Sequence, residues 1–243
     1  MMDQSKTGMS DHQPQTSLDV ASPPGDSLHR NATIDYRSEL IRKSIHLCSL
    51  SIPIIYFYIT RELALALLVP LTLAFLSVDL TRYYHKPTAD WFYRWFGFML
   101  RKHEQDTDRK RLNGATTVLL SACLCVLIFP KVITVSAFAV FIISDITAAL
   151  VGRRFGRRRF LHKSLEGALS FFFSALVVIL VAPKIEGTMT EYVIASVAAA
   201  AAAVVESLSV HIDDNLSVPL VFGFVLWGLY LLFLPGVNLS SMM

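Results

Sequence analysis

One stretch of the chain, residues 144–167, combines carboxylates, cations and glycines in a pattern suited to binding a metal ion and phosphate groups. A carboxylate stands at each end of the stretch, and the cations between them are Arg153, Arg154, Arg157, Arg158, Arg159 and Lys163. A carboxylate, an alanine and two glycines recur at helical spacing and share one predicted helix face: Asp145, Ala149, Gly152 and Gly156. Because this face is almost bare beyond its carboxylate, another helix or a ligand can approach its backbone closely.

The composition of the chain predicts a membrane protein. Apolar residues make up 53% of the chain, the mean hydropathy is +0.50, and the apolar residues are gathered into long runs. A spanning helix needs about 20 mostly apolar residues, and these runs lack the alternation of a membrane barrel. We therefore expect an all-α, polytopic helical membrane protein. The three cysteines lie inside apolar runs and lack the spacing of a zinc site, so we interpret them as core residues.

The apolar runs predict about seven transmembrane helices within one catalytic domain, residues 36–235. The predicted spans cover about 38–59, 62–80, 113–129, 132–151, 165–181, 189–208 and 216–234. Residues 1–35 are polar and predict a disordered cytoplasmic tail without a cleaved signal peptide. Residues 81–112 predict an interfacial helix in the membrane plane or, equally, a cap on the bundle. Residues 236–243 form a short C-terminal tail.

The positions of the cations predict that the N-terminus is cytoplasmic. With this topology, all but three of the 22 Lys and Arg residues lie in cytoplasmic segments, the exceptions being Arg61, Lys131 and Lys184. Such a bias sets the orientation of a polytopic protein. The expected location is a bacterial inner membrane or an ER-type membrane.

The predicted topology also places most unusual polar residues at the cytoplasmic helix ends. They are Glu39, Lys43, His46, Asp79, Asn113, Asp145, Lys163, Glu166, Glu206, Asp213, Asp214 and Asn215. The positive-inside rule explains the cations, together with attraction to anionic lipid, but it does not draw acids to one side. Asn113 alone has a simpler interpretation as a helix N-cap. The convergence of acids predicts a polar site at the cytoplasmic boundary.

Carboxylates and cations at such a site are the components of phosphoryl or nucleotidyl transfer. Carboxylate oxygens suit Mg²⁺, and Arg and Lys neutralise phosphate charge. Catalysis of this kind depends mainly on positioning and electrostatics. The glycines Gly152 and Gly156 do not have Walker spacing, and Lys163 follows His162 rather than glycine. Any nucleotide site here is therefore not a P-loop.

Several motifs together resemble the CTP-dependent lipid kinases, a family that includes dolichol kinase, phytol kinase and CTP-dependent diacylglycerol kinase. The first motif is Asp145-x-x-Ala148-x-x-x-Gly152-x-x-x-Gly156, followed by Lys163-Ser164-x-Glu166-Gly167. Further motifs are Glu39-x-x-Arg42-Lys43-x-x-His46, Asn113-Gly114-Ala115-Thr116 and Glu206-Ser207 with Asp213-Asp214-Asn215 and Pro219. The resemblance covers about residues 36–235, and the family is distantly related to the phosphatidate cytidylyltransferases.

The resemblance implies transfer of the γ-phosphate of CTP to the hydroxyl of a membrane lipid alcohol, with Mg²⁺ as cofactor. It implies that Asp145, Asp213 and Asp214 hold or orient the metal, and that Glu166 or Glu206 accepts the hydroxyl proton. Lys163 acts as a further catalytic residue. The residues expected to bind the nucleotide are Lys43, His46, Asn113, Gly152, Arg153, Gly156, Lys163 and Ser164.

Two other functions stay open at this point. A phosphatidate cytidylyltransferase uses the same nucleotide and metal but releases pyrophosphate and makes CDP-diacylglycerol. A transporter or lipid-binding scaffold would use the charges only for anchoring, but transporter sites usually lie near the membrane midplane. We expect a nucleotide and a lipid alcohol as partners, and no nucleic acid.

Overall fold

The structure is a computed structural model that describes residues 43–96, 112–208, 213–237 and 239. The predicted tail over 1–35, residues 97–111 of the predicted segment 81–112 and most of the predicted C-terminal tail lie outside these ranges. Eight helices and one short hairpin follow a helical segment at 43–48. They are α1 Ser51–Tyr58, α2 Arg61–Tyr84, α3 Lys86–Phe96, α4 Gly114–Ile128, α5 Lys131–Phe155, β1 Arg159–Phe160, β2 Lys163–Ser164, α6 Leu165–Val181, α7 Met189–Leu208 and α8 Asp214–Phe233.

Four of these helices are long and apolar enough to cross a membrane, namely α2, α5, α7 and α8. The helices α4 and α6 are apolar but shorter. This pattern agrees with an all-α membrane protein, whereas the number of seven spans and the orientation stay predictions. The predicted bounds of α6 and α7 coincide with the observed ones.

The first predicted span, 38–59, is wrong as one continuous helix over the part that the structure describes. Residues 49–50 form a turn between the segment 43–48 and α1. Pro53 has no N–H to donate to the Ser49 carbonyl oxygen, which accepts from the N–H of Ile52 at 3.0 Å instead. The proline therefore restarts the helix and sets the short segment that carries Lys43 apart from α1.

The helix α2 continues beyond its predicted end at residue 80. The helix α2 runs on to Tyr84 because Asp79 and Arg82 form a buried ion pair one turn apart, with 2.9 Å between the Oδ1 and Nη2 atoms. The helix α3 then packs on the end of α2, where the Arg82 guanidinium lies 4.6 Å from the centre of the Phe92 ring. The described part of segment 81–112 thus contacts the end of α2, while the interfacial helix and the cap on the bundle both stay predictions.

The core lies between α4, α5, α6, α7 and α8. Large aromatic side chains fill it, including the fully buried Phe138, Phe141, Phe171 and Phe222. On α7, alanines within the Ala198–Ala203 block are buried where α7 packs between α6 and α8. Small residues of this kind permit close contact between helices.

Candidate active site at the ends of five helical segments

A polar cavity of about 300 Å³ lies where several chain segments end. Its lining residues are Lys43, Asp145, Ala148, Ala149, Gly152, Arg153, Lys163, Ser164, Gly167, Glu206 and Asp214. They come from the segment 43–48, α5, β2, α6, α7 and α8. Eight of the residues proposed for the site from sequence therefore line one cavity: Lys43, Asp145, Gly152, Arg153, Lys163, Ser164, Glu206 and Asp214.

The helix α5 supplies the longest wall of the cavity. Its lining residues follow helical spacing from Asp145 to Arg153. The predicted span ended at Val151, but the helix continues to Phe155 and ends only where the Gly156 N–H bonds to the Gly152 carbonyl oxygen at 3.0 Å. This extra turn places Gly152 and Arg153 on the same face as Asp145.

The glycines near the cavity bring α5 against the start of α6. A Cβ atom added to Gly152 or to Gly167 would lie 2.9 Å from the Ser164 Oγ. A Cβ atom on Gly156 would lie 2.2 Å from the Gly152 carbonyl oxygen. The sequence left open whether a helix or a ligand approaches this bare face. The structure shows the helix approach, while Gly152 and Gly167 also expose backbone to the cavity.

Lys163 lies between two carboxylates at the cavity wall. Its Nζ atom lies 2.5 Å from Glu206 Oε1 and 3.3 Å from Asp214 Oδ2. Burial disfavours the charge on this ammonium, but the carboxylates of Asp214 and Glu206 outweigh that effect and raise the pKa of Lys163 above its usual value. The lysine is therefore charged throughout the neutral pH range.

A second lysine contacts Asp145 on the other side of the cavity. Lys43 Nζ lies 2.5 Å from Asp145 Oδ2, and His46 Nε2 lies 3.5 Å from the same oxygen. The His46 ring meets the Phe141 ring edge to face, at a centroid distance of 5.1 Å. Lys43 and His46, three residues apart in the segment 43–48, thus both reach the carboxylate of Asp145 in α5.

Other residues proposed from sequence lie outside the cavity lining. The Glu166 carboxylate accepts the Arg158 backbone N–H, at 3.2 and 3.3 Å from its two oxygens. Asn113 caps α4, as its simpler interpretation predicted, and its N–H donates to Asp79 Oδ2 at 2.6 Å. Asp213 caps α8 by accepting the Asn215 N–H at 3.0 Å. Gly156 packs under Ser164 rather than facing the cavity.

Sequence analysis missed a buried polar cluster at the opposite ends of α7 and α8. Glu191 is 0% exposed and accepts the backbone N–H groups of Ile185 and Glu186 at 2.8 and 2.9 Å. It also accepts the Tyr230 hydroxyl at 2.8 Å. The spacing Thr188-x-x-Glu191 is a capping-box signature and was the available signal.

The cavity acids suit Mg²⁺ by their chemistry. Asp145, Glu206 and Asp214 provide carboxylate oxygens, and Mg²⁺ commonly takes one or two carboxylates together with waters and substrate phosphates. Within the described ranges, no group of three or more His, Cys, Asp or Glu side chains is close enough to hold a metal alone. Asp145 and Asp214 are the residues that would hold the ion, whereas Asp213 is engaged as a helix cap.

The fold and the cavity thus define an all-α protein with membrane-length apolar helices and a charged cavity at the ends of several of them. The chain is 31% identical over 192 residues to a Rickettsia prowazekii (strain Madrid E) protein described as uncharacterized protein RP860. The match covers 78% of this chain and 94% of that relative, so the chain belongs to the same family. No family model and no solved structure matches the chain.

Proposed function

We propose that the protein is a CTP-dependent lipid kinase that phosphorylates the hydroxyl of a membrane lipid alcohol at the cytoplasmic face. The observation that carries the proposal is the cavity itself, where two lysines and three acids from five separate segments meet beside a bare glycine wall. Ion pairs that only stabilise the fold do not need open space beside them. Cations that are to bind a phosphate oxygen need a cavity that the phosphate can enter.

The two lysines supply charge to the triphosphate in this proposal. Lys43 and Lys163 are bound to carboxylates at 2.5 Å, and each ammonium has three donors, so each can keep a carboxylate and also contact a phosphate oxygen. Arg153 at the edge of the cavity adds a planar donor that suits phosphate. Gly152 and Gly167 line the cavity and have no side chains of their own, so a nucleotide can approach their backbone from the cavity side.

The reaction is a direct phosphoryl transfer. The lipid hydroxyl oxygen attacks the γ-phosphorus, a P–O bond forms, and the bond from that phosphorus to the β–γ bridging oxygen breaks, with its electrons remaining on CDP. Of the two acids proposed as proton acceptor, Glu206 lines the cavity and Glu166 does not. We therefore assign the hydroxyl proton to Glu206. Asp145 and Asp214 would hold Mg²⁺, which would neutralise charge on the phosphates.

The location of the cavity suits one soluble and one membrane substrate. It lies at the ends of apolar helices, so CTP can enter from water while the alcohol stays in the leaflet. The alcohol is a diacylglycerol or a polyprenol or phytol-type alcohol, since both classes carry a single hydroxyl on a lipid body.

The test is a transfer assay with the purified full-length protein in phospholipid vesicles. The vesicles carry a lipid extract or single alcohols, and CTP labelled at the γ-phosphate is added with Mg²⁺. We expect label in the lipid fraction and CDP in the water phase. Asp145→Asn abolishes the transfer, whereas the matched control Glu186→Gln, an exposed acid in the loop at the opposite ends of the helices, leaves it intact.

Two results would overturn the proposal. Pyrophosphate release with phosphatidate, together with lipid label from α-labelled CTP only, would identify a cytidylyltransferase that uses the same cavity. A lack of lipid label from either form of CTP, with folded protein and every alcohol class present, would favour a scaffold or transporter.

A further inference from the structure

The cavity uses only part of the cationic cluster between α5 and α6. Arg153 and Lys163 line it, whereas Arg154, Arg157, Arg158 and Arg159 are exposed outside the lining. Positioning a triphosphate therefore does not explain these four arginines. Charge density of this kind at one place on a surface points to an anionic partner.

These arginines lie between the end of α5 and the first strand of a short hairpin: Arg154 is in α5, Arg157 and Arg158 follow it, and Arg159 is in β1. The strands β1 and β2 pair antiparallel, and the Leu165 N–H bonds to the Arg158 carbonyl oxygen at 2.9 Å. At the turn, the His162 N–H bonds to the Ser207 carbonyl oxygen at 3.2 Å and so ties the hairpin to α7. The Glu166 carboxylate contacts the Arg158 N–H. This single negative charge does not offset the four arginines, so the cluster stays strongly cationic.

Two apolar side chains are exposed among the arginines. Leu161 at the hairpin turn is 48% exposed, and Phe155 at the end of α5 is 57% exposed with the Arg154 guanidinium 5.5 Å from its ring centre. Leu161 also has a φ of 54°, a left-handed conformation that disfavours a leucine. Within the described residues this leucine gains little burial in return for that conformation.

The lengths of the flanking helices place the hairpin at the level of the lipid headgroups. The helix α5 has 25 residues. At about 1.5 Å per residue such a helix exceeds a hydrocarbon core of about 30 Å, so its last turns reach the headgroup region. The apolar helix α6 begins directly after the hairpin and re-enters the apolar layer. A segment with both exposed arginines and exposed apolar side chains suits the boundary between the lipid headgroups and the apolar layer.

We infer that the segment 154–162, which runs from the end of α5 through β1 to the hairpin turn, is a docking surface for anionic phospholipids of the membrane that holds the protein. The arginines bind headgroup phosphates, and Leu161 and Phe155 reach into the apolar edge of the leaflet. Because β2 carries Lys163, this contact also holds the strand that brings the lysine to the cavity. The inference does not depend on the reaction proposed above.

A fluorescent probe at the hairpin turn tests this inference directly. Leu161→Cys is labelled with an environment-sensitive dye in a Cys48→Ser background, because Cys123 and Cys125 are buried. The protein is placed in nanodiscs of phosphatidylcholine with increasing phosphatidylglycerol. We expect a blue shift and quenching by lipids that are spin-labelled near the headgroup, both rising with the anionic fraction and weakening in high salt.

Two control variants distinguish a lipid-docking surface from a general response of the dye to the nanodisc. The same dye at Glu186→Cys, an exposed position at the opposite ends of the helices, should not respond to the anionic fraction. Arg157→Gln together with Arg158→Gln should raise the phosphatidylglycerol fraction needed for half of the response by roughly tenfold. A probe that stays in water at every composition would overturn the inference, and so would an equal response to free inorganic phosphate in neutral nanodiscs.

Discussion

The helix α7 carries a buried glutamate near each of its ends, and the groups that bind the two carboxylates differ. At the cavity end, Glu206 is 3% exposed, and it shares the Lys163 ammonium with Asp214. At the opposite end, Glu191 is 0% exposed and is bound by backbone N–H groups and the Tyr230 hydroxyl. About 22 Å of α7 separates the two glutamates, at 1.5 Å per residue.

This difference distinguishes an acid that stabilises the fold from an acid whose hydrogen-bond partner can change. The Glu191 carboxylate has its hydrogen bonds made by groups that cannot leave, so it fixes the 182–188 loop to α8 and has no capacity for a ligand. The carboxylates of Glu206 and Asp214 are bound by a flexible lysine beside open space, so their partner can change when a ligand enters. Burial alone does not distinguish the two cases, whereas the nature of the donors does.

Of the two glutamates of α7, Glu206 is the one whose neutralisation should have the larger effect on the reaction. We expect Glu206→Gln to lower the rate of lipid phosphorylation by about 10²–10⁴, as for loss of a general base. The melting temperature should change little, because the glutamine keeps the shape of the side chain. The measurement is the transfer rate per mole of folded protein, and retention of more than a tenth of that rate would contradict the assignment.

Removal of the Glu191 carboxylate at the opposite end of α7 should lower the free energy of unfolding rather than the transfer rate. Glu191→Ala leaves several buried donors without an acceptor and should destabilise the protein by about 3–4 kcal/mol. For a chain of this size we expect a melting temperature roughly 10 °C lower. Tyr230→Phe removes one donor and should cost about 1 kcal/mol. If either variant lost transfer rate per mole of folded protein as strongly as Glu206→Gln, the division between the two ends would be wrong.

Two glycines, one in close packing and one beside open space, allow a comparison of the effect of an added Cβ atom. A Cβ atom on Gly156 would meet the Gly152 carbonyl oxygen at 2.2 Å, and we expect Gly156→Ala to cost about 3 kcal/mol. A Cβ atom on Gly228 in α8 meets nothing within 4 Å. Gly228→Ala should therefore stabilise the protein by about 0.5–1 kcal/mol through helix propensity. Thermal unfolding of both variants checks this opposite sign.

The smallest effect is expected at Glu166. Its carboxylate accepts the Arg158 N–H outside the cavity, so Glu166→Gln should keep the transfer rate within about threefold, as is typical of exposed polar contacts. The same assay as for Glu206→Gln decides between the two glutamates. A loss at Glu166 comparable to that at Glu206 would return Glu166 to the catalytic set.

Much of the fold could be predicted from the sequence because the length of an apolar run is a local property of the chain. The bounds of α6 and α7 followed from their apolar runs, and the small face of α5 followed from helical spacing. The prediction of one continuous first span was wrong because Pro53 restarts the helix. The hairpin was not predicted because its two-residue strands are too short to leave a periodic signal. The end of α2 was missed because the prediction followed the apolar run alone, although Asp79 and Arg82 stand three residues apart, a spacing at which a helix pairs opposite charges.

The candidate site was predicted as a set of residues but not as a set of contacts. Lys43 meets Asp145 across 102 residues, and Lys163 meets Asp214 across 51. Such pairings depend on how helices pack, which spacing along the chain does not encode. For the same reason, Glu166 and Asp213 looked equivalent to their neighbours in sequence, although local backbone N–H groups bind them in the structure.

The most direct test of the central claim is the equilibrium binding of CTP to the cavity. The purified protein in detergent is titrated with CTP and Mg²⁺ by calorimetry, alongside Lys163→Met and the control Lys184→Met, which removes a lysine near Glu191. We expect saturable binding to the wild-type protein, an affinity at least about tenfold lower for Lys163→Met through loss of a charged contact to phosphate, and no change for Lys184→Met. Equal affinity of the wild-type and Lys163→Met proteins would contradict the assignment of this cavity to the nucleotide.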